Sequence, residues 1–258
     1  GRPIGLAADD QSRGAMPPPD RRYVEQSISL GRKILERERS LGMTPIQQGI
    51  PGMCEALPPE IPAGPDSGNR RLVRIPTDGA ADPLDPLFAR FGLSLLKKQE
   101  ELFGCERYLA CDPFHENSPS VKGSDLSKVG RAIDELYRSF RPDSIWVMQS
   151  WSLRKAIVKA VPKERLLILD LNSARAKGTK VLGYPYVAGE LHNFGGKNSL
   201  HGDLEAAASF SYRKQQKKHP NLTGAGLFME GINQNPLFTL QFTMLTQAEG
   251  VNLQQWLA

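Results

Sequence analysis

The chain has 258 residues, of which 40% are hydrophobic, and a formal net charge of +5. That length suits one β/α barrel or two smaller domains, and it is enough to bury a sizeable core. Without an apolar run near the roughly 20 residues that span a bilayer, and with only three cysteines, the sequence argues against a membrane protein and against a disulfide scaffold.

The first part of the chain is rich in glycine and proline. Residues 1–22 are predicted to be an irregular lead-in to a domain that spans 23–258. Helical spacing of apolar residues predicts a helix from Val24 to Leu41, and 43–46 is predicted to be a short strand. Seven prolines between positions 55 and 86 then predict a long loop.

Beyond the Pro-rich loop, strand and helix patterns alternate regularly. Helices are predicted over 88–102, 126–140, 152–161 and 200–215, and from Asn235-Pro236 onward. Strands are predicted over 107–111, 145–148, 166–170, 184–191 and 223–229. With the strand near Met43 this makes six units of a parallel α/β architecture, either an incomplete (β/α)8 TIM-type barrel or an open sheet. Periodicity does not distinguish these two.

Two glutamates follow predicted strands at positions where a β/α barrel carries catalytic groups. Glu116 comes after the strand at 107–111, and Glu230 comes after the strand at 223–229. Glycoside hydrolysis needs one carboxylic acid to protonate the leaving oxygen and one carboxylate to attack or to activate water. The two residues are therefore a candidate pair; a helix N-terminal charge or an ion-pair partner is the alternative for each.

Other polar and aromatic residues collect at predicted strand ends. In the string from His192 to Gly196, the paired glycines Gly195 and Gly196 allow close backbone approach to a ligand, while His192 and Asn193 can hydrogen-bond sugar hydroxyls. A tight loop with a buried histidine is the alternative. Trp151 follows a strand and either stacks on a sugar face or fills the core.

Metal and nucleic-acid sites are not indicated. The four histidines lack HxxxH-type spacing, so neither a metal nor another cofactor is predicted. A local basic cluster has no interleaved aromatic residues, which favours a solvated helix face over a nucleic-acid surface. Its members are Arg213, Lys214, Lys217 and Lys218.

Six ordered strings together resemble the α-N-acetylglucosaminidase family, glycoside hydrolase family eighty-nine. The resemblance covers most of the chain, from about Met16 to Trp256. The strings are Arg37–Pro45, Phe114–Glu116, Trp146–Trp151, Leu166–Leu171, Leu191–Gly196 and Met229–Asn235.

The resemblance implies a β/α-barrel retaining exo-glycosidase that needs no metal and releases terminal α-linked N-acetylglucosamine, as in heparan sulfate breakdown. It implies that Glu230 is the nucleophile and Glu116 the general acid/base, with carboxyl groups about 5–5.5 Å apart. The predicted substrate contacts are His115, Gln149, Trp151, His192, Asn193, Gly195 and Gly196.

The sequence also departs from the pattern of that family. His115 stands where the family usually has asparagine, and the family's N-terminal domain, first barrel strands and C-terminal helical domain have no counterpart here. The resemblance therefore implies a truncated or divergent member, and a non-catalytic sugar-binding or degenerate barrel is the alternative function. The expected partner is a carbohydrate, with neither nucleic acid nor membrane; a homo-oligomer stays open. The compartment is unknown, and the family suggests a secreted, lysosomal or periplasmic protein.

Overall fold

The computed structural model describes residues 20–50, 83–84, 86–114, 125–171, 181–191, 204–229 and 252–258. Within these residues six strands form one parallel sheet, in which neighbours in the chain are neighbours in the sheet. The strands are β1 (Ile46–Gln48), β2 (Tyr108–Ala110), β3 (Ile145–Gln149), β4 (Leu166–Asp170), β5 (Tyr186–Leu191) and β6 (Leu222–Phe228). The predicted parallel α/β architecture is confirmed.

Helices lie in the chain between β1 and β2, between β2 and β3, between β3 and β4 and between β5 and β6, as parallel connections require. Residues 172–180, between β4 and β5, lie outside the described residues. They are α1 (Arg21–Ser40), α2 (Pro86–Phe103), α3 (Leu126–Phe140), α4 (Lys155–Val158), α5 (Leu204–Ser209), α6 (Tyr212–Lys218) and α7 (Leu253–Leu257). In the part of the chain that the structure describes, no helix is long and apolar enough to cross a membrane.

The core lies between the sheet and the helices that cover it. Val129 and Ile133, one turn apart on α3, are completely buried, because the apolar residues of this helix recur at helical spacing. Tyr137 continues the same face and meets Trp146 of β3 edge-to-face, with ring centroids 6.3 Å apart. The face of α3 that the sequence predicts to be apolar is therefore the face that holds the sheet.

The predicted extents of the first strand and of the helix at 152–161 are wrong. The strand predicted over 43–46 begins only at Ile46, because Pro45 has no N–H to donate to a strand ladder. The helix predicted over 152–161 is a single turn, α4, because a turn of 3-10 helix at Ser150–Ser152 and extended backbone at Leu153 come first.

The helix predicted over 200–215 is also wrong as a single element. In the described residues it is two helices, α5 and α6, interrupted at Phe210 and Ser211. Phe210 is buried, and the Ser211 side chain accepts a hydrogen bond from the Lys214 N–H and so caps α6. The predicted helix near Asn235-Pro236 lies outside the described residues, as does most of the predicted lead-in at 1–22 and of the predicted Pro-rich loop at 55–86. The last residues of both segments are described and are helical, because α1 begins at Arg21 and α2 at Pro86.

Gly130 of α3 lies against the backbone of α4. A Cβ built there overlaps the carbonyl oxygen of Ile157 in α4 and lies 3.2 Å from the Ala160 Cβ. We expect Gly130→Ala to lower the free energy of unfolding by about 1–3 kcal/mol, although alanine normally stabilises a helix interior relative to glycine. Urea denaturation followed by circular dichroism measures this.

The matched control for Gly130 is Gly224→Ala in β6. A Cβ at Gly224 meets nothing closer than Val187 Cγ2 at 3.7 Å, which is ordinary van der Waals contact. The unfolding free energy of this variant is expected to stay within about 0.5 kcal/mol of the parent. A Gly130→Ala protein as stable as the Gly224→Ala protein contradicts the close-packing interpretation.

Candidate functional site

The carboxyl ends of all six strands lie on one edge of the sheet, because the strands are parallel. The described chain continues past β2 to Phe114 and past β6 to Met229, and it stops at Leu191, the last residue of β5. In the sequence Glu116 comes two residues after Phe114, and Glu230 comes directly after Met229. Seven predicted site residues lie outside the described residues: His115, Glu116, His192, Asn193, Gly195, Gly196 and Glu230.

Trp151 and Gln149 are the predicted site residues that the structure describes, and they contact each other. Trp151 lies in the 3-10 turn after β3 with 42% of its surface exposed, so the alternative that it fills the core is wrong. Its indole Nε1 donates to Gln149 Oε1 at 2.6 Å. The polar edge of the indole is thereby held, and an aromatic surface faces solvent at the carboxyl edge.

Asp112, just past β2, joins the end of β2 to the 3-10 turn that follows β3. Its Oδ1 accepts hydrogen bonds from the Gln149 backbone N–H at 2.8 Å and from the Ser152 hydroxyl at 2.6 Å. Ser152 is 2% exposed. One carboxylate oxygen thus connects residues 37 and 40 positions away along the chain.

The same edge is connected onward to the later strands. The Ser150 hydroxyl accepts from the Leu171 backbone N–H at 3.3 Å, which joins the ends of β3 and β4. The Leu191 N–H in turn donates to the Leu171 carbonyl at 3.1 Å and joins β4 to β5. The carboxyl ends of β2 to β5 are therefore linked by a continuous set of hydrogen bonds.

A guanidinium lies beside the last described residues after β2. Arg154 Nη1 donates to the Pro113 carbonyl at 3.3 Å, and the guanidinium carbon is 5.5 Å from the centroid of the Phe114 ring. Burial lowers the pKa of Arg154, which still remains charged near neutral pH because an arginine starts far above it. Phe114 has a φ of 68°, an uncommon conformation for a non-glycine residue.

Two other acidic groups near this edge are not suited to nucleophilic chemistry. Burial raises the pKa of the Cys111 thiol to about 12, and the adjacent charge of Asp112 adds to this, so the thiol stays protonated. Cys111 is buried, whereas Cys105 is only partly buried. Asp170 is buried on the helix side of the sheet. The pKa of Tyr186 is raised, first because Tyr186 is buried and second because of the charge of Asp170.

The opposite edge of the sheet holds a cavity of about 470 Å³. Its wall includes the first residues of β1, β2 and β3, namely Ile46, Tyr108 and Ile145. Because side chains alternate along a strand, Gln149 lies on the same face of β3 as Ile145 but at the carboxyl end. The cavity is mainly apolar and lies away from Trp151, so it is not the candidate site.

Sequence reasoning missed the residues that hold the site together. Asp112, Ser150 and Ser152 were not predicted as functional, although each is a small polar residue just past a strand. The sequence signal that could have indicated them is their position, since each lies within two or three residues of a strand's carboxyl end. The burial of Ser150 and Ser152 on either side of exposed Trp151 is visible only in the structure. Among the described residues no group of three or more histidine, cysteine, aspartate or glutamate side chains has a geometry that holds a metal ion.

The basic cluster on α6 is solvent-exposed, as predicted. Arg213, Lys214, Lys217 and Lys218 all point away from the core of the described residues. They follow Ser211 at the start of the helix and are remote in sequence from Trp151 and Asp112. The cluster is therefore a solvated face of α6.

Comparison with known proteins identifies relatives over nearly the whole chain. The family model described as the alpha-N-acetylglucosaminidase (NAGLU) TIM-barrel domain matches residues 11–248. Human alpha-N-acetylglucosaminidase is 28% identical in an alignment of 240 residues that covers 85% of this chain and 32% of that protein. The chain thus spans about a third of the length of the curated relative that it matches.

Solved structures show the same fold. A family 89 glycoside hydrolase from Clostridium perfringens, in complex with GlcNAc-alpha-1,4-galactose, has a TM-score of 0.74 at 23% identity, covering 92% of this chain and 28% of that one. A structure of a family 89 glycoside hydrolase from the same organism, in complex with PUGNAc, has a TM-score of 0.69 at 27% identity, covering 90% and 28%. With the family model, this confirms a TIM-type barrel of which six strands are described.

Proposed function

The chain belongs to the alpha-N-acetylglucosaminidase TIM-barrel family, and on that premise we propose that it is a retaining exo-glycosidase. Its substrate is terminal α-linked N-acetylglucosamine on glycans such as heparan sulfate. Two relatives support this proposal. The human relative is an alpha-N-acetylglucosaminidase, and the 27% identical family 89 hydrolase was solved in complex with PUGNAc.

One observation carries the proposal: an exposed tryptophan is held in a fixed orientation at the carboxyl edge of the barrel. The Gln149 side chain holds Trp151 by the indole N–H, and the 42% exposed indole is the kind of aromatic surface on which the apolar face of a sugar stacks. In β/α barrels the catalytic residues come from the loops on this edge. The chain segments that carry Glu116 and Glu230 in the sequence leave β2 and β6 at the same edge.

The curvature of a barrel matters for the catalytic pair. Strands β2 and β6 are four positions apart in the sheet, which is about 19 Å in a flat sheet at about 4.8 Å per strand. A retaining enzyme needs its two carboxyl groups about 5–5.5 Å apart. In an eight-stranded barrel, strands four positions apart face each other across the mouth, so long glutamate side chains can approach from opposite sides.

The proposed reaction has two steps with an inversion in each. Glu230 attacks the anomeric carbon as the bond to the leaving oxygen breaks, and the carboxylic acid of Glu116 gives that oxygen its proton. The resulting glycosyl ester on Glu230 is then attacked by water. Glu116, now a carboxylate, accepts the proton of the water as the ester bond breaks, and both groups return to their starting states.

The test is hydrolysis of a para-nitrophenyl α-N-acetylglucosaminide followed by proton NMR. We expect the α anomer of N-acetylglucosamine to appear first and to mutarotate afterwards, because two inversions retain configuration. The matching β-linked substrate is the control and should not be hydrolysed. A first product with β configuration contradicts the retaining mechanism, and sugar binding without hydrolysis supports the non-catalytic alternative.

A further inference from the structure

We propose that Asp112 is a positioning residue, whose carboxylate fixes the turn that carries Trp151 against the end of β2. In doing so it determines where a terminal N-acetylglucosamine stacks. This inference rests on the proposed function, since it concerns the sugar site of that same reaction. Its first test, however, needs neither sugar nor turnover.

The contacts of Asp112 differ from those of an ordinary surface carboxylate. A single oxygen, Oδ1, accepts from one backbone N–H and from one buried hydroxyl, those of Gln149 and Ser152. Hydrogen bonds to an ionised acceptor are roughly twice as strong as neutral ones. The Ser152 hydroxyl also lies 3.0 Å from the Gln149 carbonyl, so the carboxylate closes the turn at both of its ends.

The turn itself is built to present one side chain. Ser150 and Ser152 are buried and hydrogen-bonded to Leu171 just past β4 and to Asp112 just past β2 respectively, whereas Trp151 between them is exposed. The indole N–H is bound by Gln149, whose own backbone N–H is bound by Asp112. Asp112 thus acts on Trp151 through two routes, one from each side of the turn.

Pre-orientation of an aromatic platform affects affinity directly. A ring that is already in its bound orientation loses less conformational freedom when a ligand stacks on it. Asp112 also precedes Glu116 by only four residues in the sequence, and Arg154 bridges the Pro113 and Ser152 carbonyls. The stacking platform and the chain leading to the proposed acid/base therefore share one anchor.

The first experiment measures the mobility of Trp151 in the protein without ligand. Of the three tryptophans, Trp146 is buried and Trp256 is exposed, so a Trp256→Phe background leaves Trp151 as the tryptophan accessible to iodide. We expect Asp112→Ala to increase iodide quenching and to lower the fluorescence anisotropy of Trp151. Asp112→Asn keeps an acceptor oxygen at the same place and should stay near the parent values. Unchanged quenching in Asp112→Ala overturns the proposal.

The second experiment is a double-mutant cycle with N-acetylglucosamine as the probe, measured by calorimetry. Asp112→Ala and Trp151→Ala should each weaken binding by about tenfold, which corresponds to about 1.4 kcal/mol. If Asp112 acts through Trp151, the double variant should bind no more weakly than Trp151→Ala alone. Additive losses overturn the proposal. Asp143→Ala, at an exposed aspartate paired with Arg141, is the control and should bind like the parent.

These outcomes separate the inference from the proposed function. A parent protein that binds the sugar and gives a non-additive cycle, but never hydrolyses a glycoside, supports the positioning role and refutes the catalytic one. Normal turnover with an additive cycle supports the catalytic function and refutes the positioning role of Asp112. A parent protein that does not bind N-acetylglucosamine at all overturns both. A cooperative urea transition in Asp112→Ala and in Trp151→Ala, as in the parent, shows that the comparison is made between folded proteins.

Discussion

Replacing Glu230 with glutamine is expected to lower kcat on a para-nitrophenyl α-N-acetylglucosaminide by at least about 1,000-fold. The amide has nearly the same shape as the carboxylate but is a very poor nucleophile, so the glycosyl ester does not form. KM should change much less, because the amide can still occupy the same space beside the sugar. Steady-state kinetics of the purified variant measure both parameters.

Glu116→Gln is the informative partner of that experiment. The acid step matters less when the leaving group is a good one, so the loss should be larger for a disaccharide than for a dinitrophenyl glycoside. Glu135→Gln, at an exposed glutamate of α3, is the matched control and should keep parental kcat. Full activity in Glu230→Gln, or equal losses on both kinds of leaving group in Glu116→Gln, contradicts the assigned roles.

Asp134→Ala is expected to lower the free energy of unfolding by about 3–5 kcal/mol. Asp134 in α3 and Arg165 just before β4 form an ion pair at 2.6 Å, with side chains 7% and 14% exposed. The guanidinium also donates to the Pro142 carbonyl and to the Ser144 hydroxyl. Removing the carboxylate leaves a mostly buried positive charge without its counter-charge at the junction of helix and sheet. Urea denaturation followed by circular dichroism measures the loss.

An exposed ion pair provides the comparison for Asp134. Lys98 and Glu101 lie 2.8 Å apart in α2 with both side chains more than half exposed, so Glu101→Ala should cost less than about 1 kcal/mol. A second variant tests the cause. Asp134→Ala combined with Arg165→Met removes both charges and should be more stable than Asp134→Ala alone. A double variant that is no more stable indicates that packing, and not the unpaired charge, causes the loss.

Prediction from sequence worked best where the pattern is local and repeated. The stripe on α3 and the run at 166–170 were placed within a residue of α3 and β4, because burial on one face imposes a period that the sequence shows directly. The prediction failed at 152–161 and 200–215, where helical spacing continues through residues that the structure uses as turns. Ser150, Ser152 and Ser211 make side-chain hydrogen bonds in those turns that compete with helix.

The sequence by itself determined the parallel α/β architecture and the family, and it named Gln149 and Trp151 as site residues. It also predicts the roles of Glu116 and Glu230, which the proposed kinetics test. Only the tertiary structure decided that Trp151 is exposed rather than part of the core, and that Asp112 holds its turn. The reason is physical: these contacts join residues about 40 positions apart, and such pairs are set by the register of neighbouring strands, which local periodicity does not encode.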